Sequence, residues 1–189
     1  MKHHLAIAAA ALLAMPAASP AQAGEASVEQ RLQRVEDILA IKRIILEYAV
    51  TLDAQDFDAY VALFAKDGVW QIGDTVKKGP AEIKAMLVDL YGTPTPNYMS
   101  GQRFRIVSNM QVDVDGDRAT ARSRHLSIMR GENGSPSPTL AGLYEDEYIR
   151  EDGEWKILHR TDYPLMPTPE EWLVQLQQIQ AAQAAEAAE

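Results

Sequence analysis

The strongest constraint on this fold is a change of period partway along the chain. From Ser27 onward the apolar residues Val28, Leu32, Val35, Leu39, Ile45, Tyr48 and Leu52 recur mostly at steps of three and four, which places them on one stripe of a helix. From Phe104 the step drops to two, and Phe104, Ile106, Met110, Val112 and Val114 alternate with polar neighbours, as a strand with one buried face requires. Helices gathered in the first half and strands in the second make an α+β domain, with the helices on one face of a bent antiparallel sheet. Such a wrap leaves room for an apolar pocket between the layers.

Local signals set the boundaries. Ser27 and Gln30 have the spacing of a capping box, in which side chain and backbone satisfy each other at a helix start. Asp56 is placed to cap a short second helix carrying Phe57, Tyr60, Val61 and Phe64, which Asp67-Gly68 ends before the strand-like Val69-Trp70-Gln71-Ile72. Gly79-Pro80 opens a third helix that buries Ile83, Met86, Leu87 and Leu90, with proline in the turn where its missing N–H costs nothing. Asp115-Gly116 and Asp152-Gly153 each mark the turn of a long hairpin, the second running from Thr139 to Tyr163. Thr168-Pro169-Glu170-Glu171 reads as the cap of a final helix, docked through Trp172, Leu173 and Leu176.

The first residues combine a basic start, a short apolar run and the small residues Ala21-Gln22-Ala23, the pattern of a cleavable secretory signal peptide. The expected organisation is therefore a leader over residues 1–23, one domain over 24–166, and a C-terminal helix and tail over 167–189, with the product periplasmic or secreted. The leader's apolar run is shorter than the about 20 residues that span a bilayer, so no membrane insertion is expected after cleavage. A net charge of −9 argues against nucleic acid as a partner, since phosphate binding is driven by basic surface. The chain has no cysteine, which excludes disulfides and thiolate chemistry.

Several segments together resemble the SnoaL-like family of the nuclear transport factor 2-like superfamily. They are Tyr48 to Trp70, Lys78-Gly79-Pro80-Ala81-Glu82-Ile83, Val107-Ser108-Asn109, Val112 to Ala119, Gly142 to Asp146 and Asp152 to Arg160. The resemblance spans about Val28 to Tyr163 and implies a cone-shaped fold. Scytalone dehydratase, bile-acid 7α-dehydratase and hexachlorocyclohexane dehydrochlorinase belong to that superfamily. It therefore implies cofactor-free lyase chemistry, in which a proton is taken and a leaving group expelled inside the cone.

The same resemblance nominates residues. Asp53 matches the carboxylate that these lyases place at the end of the first helix, where it orients or activates the base and can carry protons; its other reading is a cap on the second helix or a bond to a nearby backbone amide. Tyr48 falls at an active-site tyrosine position and is equally suited to the core stripe. Arg160 matches an arginine of the last strand able to stabilise a departing anion, with a surface ion pair as its other reading, while strand alternation turns His159 to the opposite face. Arg105 stands where the lyases carry the histidine base, and an arginine cannot be deprotonated in a protein; it is left to bind a carboxylate, polarise a leaving hydroxyl or pair with Asp53. His125 aligns with a second active-site histidine, suited to act as acid or base on a hydroxyl or to stand as a satisfied histidine of the wall, and alternation groups it with the small residues Ala119, Ala121 and Ser123.

Trp70, Met86, Met99, Phe104, Met110, Met129, Tyr144 and Tyr148 offer an apolar and aromatic lining suited to a hydroxylated, aromatic or polycyclic small molecule, and Asn109 joins Trp70, Phe104, Tyr144 and Tyr148 as a substrate-binding candidate. No metal site, phosphate loop or dinucleotide fingerprint is legible, so neither metal nor cofactor is expected. Exposed apolar surface on one sheet face points to a homodimer or homotrimer. With the family base replaced, a non-catalytic small-molecule-binding or assembly domain of the same fold is the alternative function.

Overall fold

The computed structural model describes residues 26–94, 98, 100–168 and, in the C-terminal segment, 170, 171, 173, 174, 177 and 178. The expected leader, together with Met99, Trp172 and Leu176, lies outside the described residues. Helices α1 (Val28–Asp53) and α2 (Phe57–Val61) are followed by strands β1 (Phe64–Ile72) and β2 (Thr75–Lys78) and helix α3 (Gly79–Tyr91). Four long strands complete the fold: β3 (Arg103–Asp115), β4 (Arg118–Arg130), β5 (Pro136–Glu151) and β6 (Glu154–Met166). They form one curved six-stranded sheet in the order β2-β1-β6-β5-β4-β3. The pairing of β1 with β6 is parallel and the others are antiparallel, so the sheet is mixed where an antiparallel one was expected. Among the described residues no helix is long and apolar enough to cross a membrane.

The caps form as the sequence predicts. Ser27 Oγ accepts from the Gln30 amide and the Gln30 side chain accepts from the Ser27 amide, while Asp56 accepts from the Ala59 amide. Two expectations about helix burial fail. Ile41, Ile45, Tyr48 and Leu52 are buried, but Val28, Leu32, Val35 and Leu39 are each more than half exposed. At about 1.5 Å per residue the 26 residues of α1 outrun the sheet, which they first meet where Arg34 Nη1 donates to the Val114 carbonyl. In α3, Leu90 is exposed while Ile83, Met86 and Leu87 are buried.

Backbone irregularities decide which side chains face inward. The second helix stops at Val61, and Phe64 and Asp67-Gly68 lie in β1, not at a helix end. The pairing of β1 with β6 skips between Phe64 and Val69, and a Cβ on Gly68 would come within 2.9 Å of the carbonyl oxygens of Ala65 and Ile157. Only glycine fits this close approach. In β3 the register shifts between Ser108 and Gln111, with Asn109 at φ 52°. One extra residue in a strand reverses the parity of everything before it. Arg105 and Val107 therefore face the helices together with Met110, Val112 and Val114, while Phe104 and Ile106, each 47% exposed, point outward.

Candidate functional site

The register of the four long strands stacks their inward side chains in layers beneath α1. The first layer, at the end where α1 stops, holds Arg105 and Ser127; the second holds Val107, His125 and Gly142. Ser123, Tyr144 and Asp162 follow, then Ala121, Asp146 and Arg160, then Ala119, Tyr148 and Ile157. Solvent reaches only the first of these polar layers: Arg105 and Asp53 are half-buried, whereas His125, Asp162, Asp146, Tyr144, Tyr148 and Arg160 are buried.

Arg160 is not at the surface. Its guanidinium grips Asp146 through two bonds, Nε to Oδ1 at 2.7 Å and Nη2 to Oδ2 at 2.6 Å, and Tyr148 Oη donates to the same Oδ2 at 2.9 Å. Both side chains of the pair are wholly buried, so the fork is a charge-assisted contact in a poorly screened interior. The Arg160 guanidinium also lies 3.8 Å from the centroid of Tyr48 and 4.5 Å from that of Tyr144, in cation–π geometry. Tyr48 Oη accepts from Trp70 Nε1 at 2.9 Å. Burial pushes the phenols of Tyr48, Tyr60, Tyr144 and Tyr148 up, so they stay neutral and can donate.

His125 Nε2 meets Asp162 Oδ1 at 2.9 Å, and its ring stacks on Tyr144 with centroids 4.2 Å apart and planes at 14°. Asp53 Oδ2 accepts from the backbone amide of Arg105 at 2.9 Å; of the alternatives that the sequence leaves open, this is the amide bond. Burial raises the Asp53 carboxyl against the opposing effects of that amide and of the Arg105 and Arg103 charges. The Arg105 Nε donates to Ser127 Oγ at 3.4 Å, so Arg105 meets Asp53 through its backbone while its side chain runs along the first layer.

The structure thus gathers Tyr48, Trp70, His125, Tyr144, Tyr148 and Arg160 in one interior, with Asp53 and Arg105 at its solvent-facing end. It separates two candidates from them: Phe104 points outward and Asn109 is exposed at the bulge, because the shift of parity in β3 is invisible to simple alternation. His159 turns away and bonds Gln71 at 3.1 Å, as alternation requires. Two surface hollows of about 300 and 220 Å³ lie beside Asp113–Thr120 and around Ser100–Pro136, and neither is lined by Tyr48, Asp53, His125 or Arg160.

Two acids of the site escape the sequence reading, Asp146 and Asp162. Each sits two residues from a nominated neighbour on the same strand, Asp146 after Tyr144 and Asp162 after Arg160, so stepping by two from those residues would have found them.

A SnoaL-like domain model matches residues 33–161. A search of curated proteins returned no match. Among solved structures, a nuclear transport factor 2-like protein with a cystatin-like fold from Novosphingobium aromaticivorans is 22% identical, with a TM-score of 0.65 over 78% of this chain and 96% of its own. A candidate scytalone dehydratase from the same organism is 26% identical, with a TM-score of 0.59 over 71% of this chain and 88% of its own. LinA is 20% identical, with a TM-score of 0.60 over 71% of this chain and 90% of its own. A helix-backed, six-stranded curved sheet, matched over more than half of the chain by one family model, makes this protein a member of the SnoaL-like family with the nuclear transport factor 2-like fold.

Proposed function

We propose that the protein is a cofactor-independent lyase of the dehydratase type, acting on a hydroxylated aromatic or polycyclic small molecule inside the cone. One observation carries this reading: Ser123 Oγ, His125 Nδ1, Tyr144 Oη and Arg160 Nη1 are buried with no hydrogen-bond partner in the described structure. An unsatisfied buried polar group costs about 1–3 kcal/mol, and native interiors leave few of them. Four in adjacent layers form a polar lining that a substrate's oxygens would complete. In this scheme Arg160 and Tyr144 donate to developing negative charge and Tyr48 orients the substrate. Asp53, biased by burial toward its protonated form, hydrogen-bonds the substrate hydroxyl. The likeness to a candidate scytalone dehydratase supports elimination over other chemistries.

Two further features belong to the proposal. The leader-like first residues direct the chain to the periplasm or beyond it. The outward face also carries Phe104, Ile106, Tyr163 and Leu165, each 43–47% exposed. The register brings Phe104 and Ile106 beside Ile128 and Leu126, and Tyr163 beside Leu143. This apolar patch suits contact with a second copy, and light scattering at micromolar concentration should return more than the monomer mass.

A second reading is favoured by Arg105, which cannot take a proton: a small-molecule-binding domain without turnover. One experiment separates the two. Mature protein and its Tyr144→Phe variant are incubated with a small-molecule extract of the source cells and analysed by mass spectrometry. The lyase reading expects a compound that loses the mass of one water with the wild type and reacts more slowly with the variant, whose folding is unchanged because the deleted hydroxyl has no partner. A compound that co-purifies unchanged with the protein establishes the binding reading instead.

A further inference from the structure

We propose that the first half of α1 is a pairing seam, which lies in parallel against the same segment of a second copy of this chain around Val28, Leu32, Val35 and Leu39. The surface is separate from the sheet face described above and is independent of the chemistry of the interior. Helix α1 is apolar on two opposite sides. Ile41, Ile45, Tyr48 and Leu52 are buried against the rest of the domain. At about 3.6 residues per turn the four seam residues fall on the other side, where they are 72%, 56%, 53% and 60% exposed. They follow one another at steps of four, three and four, the spacing of the d and a positions of a coiled coil, whereas a solvated face would be polar. Leu46 and Val50, also exposed, extend the stripe beyond Lys42 and Arg43.

The seam starts on turns that its own domain does not support. Residues Val28 to Gln33 precede the point where α1 meets the sheet, at Arg34, and helical turns in water draw most of their stability from packing an apolar face. A partner helix supplies that packing. The charges beside the stripe select the partner and its direction. With Val28, Leu32, Val35 and Leu39 as d, a, d and a, Arg31 is a g residue and Glu36 the e residue that follows it; both are exposed. In a parallel coiled coil g meets e across the interface, so Arg31 of each copy meets Glu36 of the other, twice by the two-fold symmetry of such a contact. An antiparallel pair of the same segments would bring Glu29 against Glu36, and like charges across an interface repel. A lipid surface would call for lysine and arginine along the polar flanks, and here one flank carries Glu29 and Glu36.

Lys42 takes the next d place after Leu39 and faces its counterpart in the pair. Its stem is long enough to carry the amine to water, and a single polar residue in an apolar seam fixes register. The close contact therefore runs from Val28 to Leu39, and the sheets of the two copies lie on the outer sides of the paired helices.

The chain has no cysteine, so one introduced thiol can form a disulfide only between copies. Val28→Cys and Leu39→Cys, made singly in the full chain, stand at the two ends of the seam, and each faces itself in the parallel pair. Each should become a covalent dimer under mild oxidation, while Leu90→Cys, 63% exposed on α3, should not. By light scattering, Leu32→Glu should lower the mass of the assembly while melting near the wild type, since the replaced side chain is exposed. Arg31→Glu or Glu36→Arg alone should weaken self-association about tenfold, and the two together should restore it, a recovery that misfolding would not give. Cross-linking in a mixture of Val28→Cys and Leu39→Cys, but in neither alone, shows an antiparallel pair and overturns the proposal. A Leu32→Glu mass equal to that of the wild type also overturns it and leaves any assembly to the sheet face. So does a wild type that is monomeric at every concentration, whether the stripe is then covered by the chain's own residues 169–189 or by a different protein.

Discussion

Helix α1 presents two polar constructions of nearly the same parts, eleven residues apart, and they differ in one respect. Toward its beginning, Asp37 accepts from Arg150 Nη2 at 2.7 Å, Trp155 Nε1 at 3.0 Å and Gln33 Nε2 at 3.1 Å, and the Arg150 guanidinium lies 4.5 Å from the Trp155 ring. Toward its end, Tyr48 accepts from the indole of Trp70, and the Arg160 guanidinium lies over the Tyr48 ring. Each has an arginine on an aromatic face and an indole N–H spent on α1. Around Asp37 no buried side-chain polar atom is left over, whereas the layers beneath Tyr48 contain all four unpartnered ones in the described structure. A network that closes on itself holds a fold together; on the proposed reading, the one left open is completed by a bound molecule. Desolvation works against the Asp37 charge, but the bonds from Arg150, Trp155 and Gln33 overcome it and hold its carboxyl below the usual range.

The largest expected effect would show that the open region also contains a structural part. Asp146→Asn leaves the Arg160 charge buried without its partner and should cost about 3–5 kcal/mol, read as a lower denaturant midpoint. A loss below about 1 kcal/mol would mean that the pair is not load-carrying and that the contrast is drawn in the wrong place. Next comes Asp37→Asn, which weakens the closed knot. About 2 kcal/mol of stability should go, since Arg150 is partly exposed and can recover water, with conversion per folded molecule unchanged. The stability that Asp37 contributes is present above the ordinary carboxylate pKa and is lost as pH falls through its lowered folded value, so the wild type and this variant should converge in acid.

The smallest effect is of opposite sign. Burial raises the Asp53 carboxyl, so the folded state holds that proton more tightly than the unfolded chain does. Its contribution is full below the unfolded pKa and is lost as pH rises through the folded value. Melting temperatures of Asp53→Asn and wild type, measured from about pH 4 to about pH 8, should therefore diverge in the variant's favour as pH rises. A constant difference would place Asp53 in open solvent.

The sequence made the architecture legible because periods are local: three- and four-residue steps mark α1, two-residue steps mark the hairpins, and capping residues sit where the helices begin. What it hid was parity. Phe104 looked inward because Met110, Val112 and Val114 are even-numbered too, and only the bulge at Asn109 reverses the face. Gly68 likewise read as a helix stop, although it is required by a close approach of β6 that no local pattern encodes. Tyr48, His125, Arg160 and Tyr144 were legible as inward residues, but the acids that hold them, Asp146 and Asp162, belong to no motif. Their partners are 14 and 37 residues away in sequence and meet only through strand register.

The two regions carry their own reporters, since Trp70 donates its indole N–H to Tyr48 and Trp155 donates its own to Asp37. The most direct measurement is the indole region of a proton–nitrogen correlation spectrum of the protein, recorded with and without the small-molecule extract of the source cells. If the open cluster is the place where a molecule binds, the Trp70 signal moves and the Trp155 signal stays. A Trp155 signal that moves while Trp70 stays, or two that never move at any extract concentration, would contradict the assignment of function to the interior beneath Tyr48.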